Sequence, residues 1–388
     1  MKGMIRIQIK NGELTADVDF PVTENELRGS LNEINAPSGI SASRSVFVSE
    51  VYCPKELELL KDRFLNLDEL NYLALRMESF DRLEADQFLV GVSKIEDPTE
   101  KSLINLTFNL DKFTLCRDVS DYGRIGRAYV MNTEGSVPTG DEADPKYAAI
   151  GKDLVDRGLT QITERGLLVY DPAEELTEVY DGRCFPPYYY EDSPLAVLVK
   201  RDDREELVQL PTDDIAIEKA LARVGALLDS DCEITLDSDS TGAFSRCFMR
   251  VIRDEGLYCA NVMMQAIDPN YLDWDKLAAA VALTGAHKAA DISAVSAELD
   301  DFVFVPHAVN EEDIGSYFVN NFAEYDLHED MEEFFDFEAF GKHIVDKYDG
   351  RFVDGGFVCC TRPYSFEKLL ERIDVEEAED EGMNMGGI

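Results

Sequence analysis

The stretch that decides the fold occurs twice: residues 4–21 read MIRIQIKNGELTADVDFP, and residues 194–211 read PLAVLVKRDDREELVQLP. Each contains two runs in which apolar and polar residues alternate, which is typical of β-strands that bury one face. Asn11-Gly12 between the first two runs predicts a β-hairpin with a type I′ turn. Arg201-Asp202-Asp203 at the second break fits that turn type less well. The proline that closes each stretch ends the second strand.

The two hairpins begin a repeat that extends over most of the chain. At a shift of 190 residues, the apolar positions of 5–36 fall on those of 195–226, and those of 147–169 fall on those of 337–359. Between these blocks, a shift of 189 pairs Ile125-Gly126 with Ile314-Gly315. Apolar character is kept while charge changes, as expected when a core is inherited and a surface is free. We therefore predict two tandem copies of one module of about 190 residues.

Each module is predicted to contain a small sheet with one helix, then helices, then a second mixture of strands and helices, which makes the fold class α+β. In the first copy, Thr23 and Glu26 form a capping box for a helix over 24–35, and residues 55–92 are helical in pattern. The predicted divisions are an αβ subdomain over 1–57, a helical subdomain over 58–108, an αβ subdomain over 109–171, a proline-rich linker over 172–193, the corresponding subdomains over 194–246, 247–299 and 300–374, and a disordered acidic tail over 375–388.

The charge of the chain is strongly negative. It has 388 residues with 37 basic and 79 acidic side chains, which gives a net charge of −42. Because 45% of the residues are hydrophobic, the charge must lie on a folded scaffold rather than on a disordered acidic chain. Such a surface repels nucleic acid and anionic membranes, and it favours a partner with a basic surface. A general role in solubility explains the same composition.

The sequence offers little support for catalysis. The four histidines have no metal-ligand spacing, the eight cysteines include no CxxC pair, and no GxSxG, Walker or GxGxxG motif occurs. We therefore expect a binding protein rather than an enzyme, with no catalytic residue, cofactor or metal. No signal peptide or membrane-length apolar run is recognisable, so we expect a soluble, cytoplasmic protein.

One stretch resembles a catalytic motif. Residues 234–241, ITLDSDST, look like the strand and DxDxT motif of haloacid-dehalogenase-type phosphatases, in which Asp237 would attack phosphorus and Asp239 would act as an acid. At the shift of 190, Asp237 falls on Phe47, so the module does not carry this aspartate in both copies. The start of a calcium loop is excluded because its twelfth position would be Phe248. We predict a polar turn here.

The acidic residues near the end of the second copy carry a family resemblance. Asp336 to Lys342, DFEAFGK, follows a short acidic segment and resembles the late motif of the ArdA antirestriction family. Residues 67–74, LDELNYLA, resemble the central Glu-Leu-Asn helix of that family. The other copy departs from each motif: Pro145 to Lys152 fits the late motif weakly, and Ala260-Asn261-Val262-Met263 replaces the central one.

The resemblance implies an elongated DNA mimic with three small domains per module, which dimerises near the late motif. Its carboxylates would stand in for phosphates in the DNA groove of a Type I restriction-modification enzyme. A net charge of −42 corresponds to about 70 Å, or about 21 base pairs, of B-DNA. Two fused modules would imitate a dimer in one chain, so a monomeric pseudo-dimer or a homodimer is expected. The alternative is an acidic adaptor for another basic DNA-handling protein of a mobile element.

The candidate binding residues are carboxylates expected to act together, so no single one is predicted to be essential. They lie in the helical part of each copy and around the late motif of the second copy. The set is Asp68, Glu69, Glu78, Asp81, Glu84, Asp86, Asp273, Asp275, Glu311, Glu312, Asp313, Glu324, Asp326, Glu329, Asp330, Glu332, Glu333, Asp336 and Glu338.

Overall fold

The computed structural model describes residues 4–37, 45–138, 145–187, 193–267, 272–325, 327–362 and 366–371. The fold is a mixed α+β structure with several small sheets and many helices, as expected. The chain divides into two compact units, which we call the first unit (Met1–Glu191 with Glu218–Gly225) and the second unit (Asp192–Ile217 with Ala226–Ile388). The predicted tail, 375–388, lies outside the described residues.

The first unit begins with an antiparallel sheet in the strand order β2-β1-β3-β4. Its inward residues Ile5, Ile7 and Ile9 are fully buried against the helix that follows the hairpin. That helix begins at the predicted capping box: the Glu26 N–H donates to Thr23 Oγ1 and the Thr23 N–H donates to Glu26 Oε2. The elements are β1 (Ile5–Asn11), β2 (Leu14–Phe20), α1 (Glu24–Glu33), β3 (Val46–Cys53) and β4 (Arg63–Leu65).

A helical layer follows and shares its core with the first sheet. The helices are α2 (Leu67–Glu78), α3 (Arg82–Val92) and α4 (Glu100–Leu106). The prediction of helix throughout 55–92 is wrong at its start, where a 3-10 helix over Lys55–Leu60 leads into β4. Asp62 has φ +60°, so the chain leaves the helical conformation there and turns to pair with β3.

The second sheet of the first unit has the order β5-β7-β6, and two helices lie between its first and last strands in sequence. Its elements are β5 (Thr114–Cys116), α5 (Tyr122–Glu134), α6 (Pro145–Asp156), β6 (Thr160–Thr163) and β7 (Gly166–Val169). The strand predicted from Leu110 begins later, because Leu110–Lys112 forms a 3-10 turn. Residues 172–187, the described part of the predicted linker, pack against this unit.

The second unit contains sheets with the orders β10-β8-β9 and β11-β13-β12. The polar turn predicted around Asp237 is wrong, because Asp237 lies within an edge strand that pairs with β8. The elements, in chain order, are β8 (Leu195–Arg201), β9 (Arg204–Leu210), α7 (Asp214–Val224), β10 (Glu233–Asp239), α8 (Phe244–Glu255), α9 (Leu257–Ala266), α10 (Trp274–Thr284), α11 (Ala289–Ala297), β11 (Phe302–Pro306), α12 (Glu311–Asn321), α13 (Phe337–Tyr348), β12 (Arg351–Val353) and β13 (Gly356–Cys360).

Both predicted hairpins are present, but their turns differ from the prediction. The closing pairs are Asn11 with Leu14 and Arg201 with Arg204, so each turn has two residues. Only the first residue of each turn has positive φ, +60° at Gly12 and 55° at Asp202. A type I′ turn needs positive φ at both central residues, so neither turn is of that type.

One asparagine in each unit holds the backbone just after the hairpin. The Val22 N–H donates to Asn71 Oδ1 (2.8 Å), and Asn71 Nδ2 donates to the Val22 carbonyl (3.0 Å). The Thr212 N–H donates to Asn261 Oδ1 (2.9 Å), and Asn261 Nδ2 donates to the Thr212 carbonyl (2.9 Å). The second copy has therefore lost the Glu-Leu of the central motif but keeps its asparagine in the same structural role.

Helices α5 and α6 cross with very close backbones because a glycine lies at the contact on each helix. A Cβ atom on Gly126 would lie 2.0 Å from the carbonyl oxygen of Tyr147, and one on Gly151 would lie 1.9 Å from that of Tyr122. Neither position has room for a side chain, and in each case the obstacle is backbone.

Helices α12 and α13 cross in the same way. A Cβ atom on Gly315 would lie 2.0 Å from the carbonyl oxygen of Phe337, and one on Gly341 would lie 1.7 Å from that of Glu311. In both units the carbonyl belongs to the residue four positions before the partner glycine. These four glycines include the pairs that the sequence comparison aligned at shifts of 189 and 190.

Candidate acidic interface

Many candidate carboxylates lie at the N-terminal ends of helices, where they cap backbone N–H groups. Asp81 accepts from the N–H groups of Leu83 (2.6 Å) and Glu84 (2.8 Å), and Glu84 accepts from the Asp81 N–H (2.8 Å). Asp273 and Asp336 cap α10 and α13 in the same manner. Negative charge is stabilised at a helix N-terminus by the free N–H groups and the helix dipole. These carboxylates therefore serve the fold and are also held rigidly.

The first turn of α12 carries three acids in succession. Asn310 caps this helix, and Asp313 accepts a hydrogen bond from the Val309 N–H (2.9 Å), so Asp313 braces the loop before the helix. Glu312 is exposed, whereas Glu311 and Asp313 are half-buried. Since α12 and α13 cross at Gly315 and Gly341, the acids of both first turns are carried by one helix pair.

The described candidate carboxylates are mostly exposed. The fully exposed ones are Glu78, Asp81, Glu84, Asp273, Asp275, Glu312, Glu324, Glu332, Glu333, Asp336 and Glu338. Asp326 lies outside the described residues, as do the side chains of Glu329 and Asp330.

Asp68 is a correction to the predicted surface. Its carboxylate forms an ion pair with Lys219 (2.6 Å), which also pairs with Glu24 (2.7 Å), and all three residues belong to the first unit. The Lys219 side chain is only 6% exposed. Asp68 thus compensates a buried ammonium group, and its charge is not presented to a partner.

Asp86 is also engaged internally. It pairs with Arg165 (2.7 Å) and Arg117 (2.8 Å), and Arg165 reaches Glu56 as well (2.5 Å). Burial alone would raise the pKa of Asp86, but the hydrogen bonds from the two arginines outweigh it and hold the pKa below its ordinary value. The carboxylate is therefore charged but neutralised by its neighbours.

Glu69 is the third correction. It is half-buried and accepts hydrogen bonds from Asn66 Nδ2 (2.9 Å) and from the Tyr180 hydroxyl. Burial raises its pKa, and the nearby charge of Glu100 adds to the shift. A carboxylate with a raised pKa under a covering aromatic side chain is part of the interior, not of a docking surface.

The two equivalent helix pairs carry opposite charges at their first turns. Where α12 has Asp313 and α13 has Asp336, the corresponding residues of α5 and α6 are Arg124 and Lys146. The acidic segment before α13 also exposes apolar side chains, with Phe334 78% and Met331 55% exposed beside Glu332 and Glu333. The late acidic surface is thus a feature of the second unit, with apolar groups among its charges.

The geometry shows no catalytic cluster among the residues that the structure describes. No group of three or more His, Cys, Asp or Glu side chains there has the arrangement of a metal site. Asp237 is exposed in β10, and the side chain of Asp239 lies outside the description. In the described part of the chain, no helix combines the length and apolar character needed to cross a membrane.

Comparison with known proteins finds no matching family, no matching curated protein and no matching solved structure.

Proposed function

We propose that this protein is an acidic decoy that mimics the charge of B-DNA and occupies the DNA-binding groove of a Type I restriction-modification enzyme in the cytoplasm. The observation that carries the proposal is the combination of a net charge of −42 with exposed carboxylates fixed at helix N-termini. Fixed charges lose little freedom on binding, so they complement a basic groove better than charges on a disordered chain.

We also propose that the chain is a tandem duplication, with an αβ part, a helical part and a second αβ part in each copy. Three observations support this: the sheet orders correspond, the asparagine clamps are 190 residues apart, and the glycine crossings repeat with the same reciprocal contacts. Such a chain would present two modules as a monomeric pseudo-dimer or assemble as a homodimer.

The test is a variant that removes charge without removing helix caps. Six exposed acids that do not cap helices are changed to glutamine: Glu78, Glu312, Glu324, Glu332, Glu333 and Glu338. The matched control changes the same six to aspartate, which keeps the charge. Because electrostatic attraction sums over many charges, each single substitution should cost little, while the sixfold glutamine variant should lose inhibition of DNA cleavage. Loss of inhibition by one exposed substitution, with the fold intact, would contradict collective mimicry.

A second candidate function is an acidic adaptor for another basic DNA-handling protein. It is favoured by the exposed Phe334 and Met331 among carboxylates, because apolar anchors suit a shaped protein surface and have no counterpart in a phosphate array. Competition separates the two functions. Excess DNA should displace a DNA mimic from its partner, and it should leave an adaptor bound. Substitution of Phe334 by serine should weaken the adaptor more than the mimic.

A further inference from the structure

Residues 171–187, which we call the strap, form an extended segment of the first unit. The described strap contains no helix or strand, yet its Tyr180 side chain is among the most deeply buried in the chain. A solvated linker would leave such a ring exposed, and its backbone N–H groups would bind water. The strap instead obtains its hydrogen bonds from side chains of the helical layer.

Two buried asparagines read the strap backbone. Asn109 accepts from the Thr177 N–H (2.8 Å) and donates to the Thr177 carbonyl (3.0 Å). Asn105 accepts from the N–H groups of Val179 (2.7 Å) and Tyr180 (2.8 Å) and donates to the Tyr180 carbonyl (2.8 Å). The side chains of Asn105 and Asn109 thus replace the neighbouring strand that an extended segment would otherwise pair with.

The remaining capacity of both amides is used inside the helical layer. Asn105 Nδ2 also donates to the Lys101 carbonyl (3.0 Å), and Asn109 Nδ2 donates to the Asn105 carbonyl (2.8 Å). Each amide therefore makes its full set of hydrogen bonds only when the strap is in place. Asn105 and Asn109 are 7% and 1% exposed, so an empty groove would leave buried polar groups without partners.

Charge and aromatic contacts add selectivity. Lys101 pairs with Glu178 (3.0 Å) and Lys112 pairs with Glu174 (3.5 Å), so a basic rim faces an acidic segment. Phe185 stacks on Tyr72 with ring centroids 4.5 Å apart. The Tyr72 hydroxyl donates to the Pro186 carbonyl (2.8 Å), which fixes the path of the chain close to the end of the strap.

We propose that this groove is a binding site for an extended acidic peptide with aromatic anchors, and that the strap is its resident ligand. The site reads backbone through Asn105 and Asn109, negative charge through Lys101 and Lys112, and an aromatic ring through Tyr72. It is separate from the exposed carboxylates of the proposed DNA mimic, and its test does not use a restriction enzyme.

The first experiment is hydrogen exchange on the full chain. Asn109→Ala should speed exchange at the amides of Thr177, Val179 and Tyr180 by about tenfold, since one buried hydrogen-bonded contact is lost. The amides of β1 and β3 should be unchanged, which shows that the unit remains folded. The control, Asn320→Ala at an exposed position of the second unit, should leave the strap amides unaffected. Strap amides that exchange equally in wild type and Asn109→Ala would overturn the proposal.

The second experiment tests the site with a ligand added in trans. Glu174→Gln with Glu178→Gln removes both ion pairs of the strap, while Glu332→Gln with Glu333→Gln removes equal charge elsewhere. A fluorescent peptide with the sequence of 171–187 should bind the strap variant at least about tenfold more tightly than wild type, as competition by the strap weakens. The Glu332/Glu333 control should match wild type. Adding Asn109→Ala to the strap variant should abolish binding. Peptide binding that survives Asn109→Ala, or that does not differ between the two charge variants, would overturn the site.

Discussion

Substitution of Gly341 by alanine tests the helix crossing that carries the late acidic surface. The new Cβ atom would lie 1.7 Å from the Glu311 carbonyl oxygen and 2.6 Å from its carbon, whereas ordinary contacts are about 3.4–4 Å. A carbonyl within a helix cannot rotate away as a flexible side chain can, so α12 and α13 must separate. We place the cost near the upper end of the range for overpacking, about 3 kcal/mol.

Helix propensity acts in the opposite direction. Alanine favours a helix over glycine by about 1 kcal/mol, so the expected net loss of stability is about 2 kcal/mol. In a unit of this size that corresponds to a melting temperature lower by about 4–8 °C. Gly151→Ala should behave similarly in the first unit, because its Cβ would lie 1.9 Å from the Tyr122 carbonyl oxygen.

The matched control is Gly29→Ala in α1, where a Cβ atom would meet nothing within 4 Å. It should stabilise the first unit by about 0.5–1 kcal/mol. Thermal unfolding gives the magnitudes, and hydrogen exchange assigns the effect to α12 and α13 or to α5 and α6. A Gly341→Ala protein that melts at or above the wild-type temperature, as the Gly29→Ala control should, would refute the close crossing.

The remaining predictions concern the asparagine clamp and two glutamates of opposite pH behaviour. Asn261→Ala should cost about 2 kcal/mol in urea unfolding, because the Thr212 backbone loses both partners, whereas the exposed Asn320→Ala should cost little. Glu69 has a raised pKa, so its stabilising contribution is complete below the ordinary value of 4.5 and is lost as pH rises through the folded pKa. Glu69→Gln should therefore raise stability at pH 7, with the gain shrinking at acid pH; a destabilised variant at pH 7 would contradict the burial argument. Glu26 has a pKa lowered by the backbone hydrogen bond at Thr23, so its contribution is present above 4.5 and is lost as pH falls. Glu26→Gln should cost about 0.5–1 kcal/mol at pH 7 in the same measurement, and the difference should vanish under acid; a difference independent of pH would be the wrong outcome.

Local signals predicted much of the fold. The hairpins follow from alternation, and α1 begins where Thr23 and Glu26 predicted it. These features depend on neighbours in sequence, so the residues themselves contain the necessary information. The aligned glycines were visible in the sequence as well, but only the structure shows that they are contact points between helices.

The site was predicted less well, because the partners of a carboxylate are remote in sequence. Asp68 pairs with a lysine 151 residues away, and Asp86 with an arginine 79 residues away. Composition gives no signal for such pairs, so an interior acid and a surface acid read alike. The strap was missed for a related reason: its prolines and acids are typical of a linker, and its binding depends on two asparagines about 70 residues earlier.

The central claim is tested most directly by DNA cleavage with a purified Type I restriction enzyme and increasing amounts of this protein. The account predicts inhibition that excess DNA relieves, that the sixfold glutamine variant loses and that the sixfold aspartate control retains. Undiminished cleavage by several such enzymes, or inhibition that the glutamine variant keeps in full, would contradict DNA mimicry.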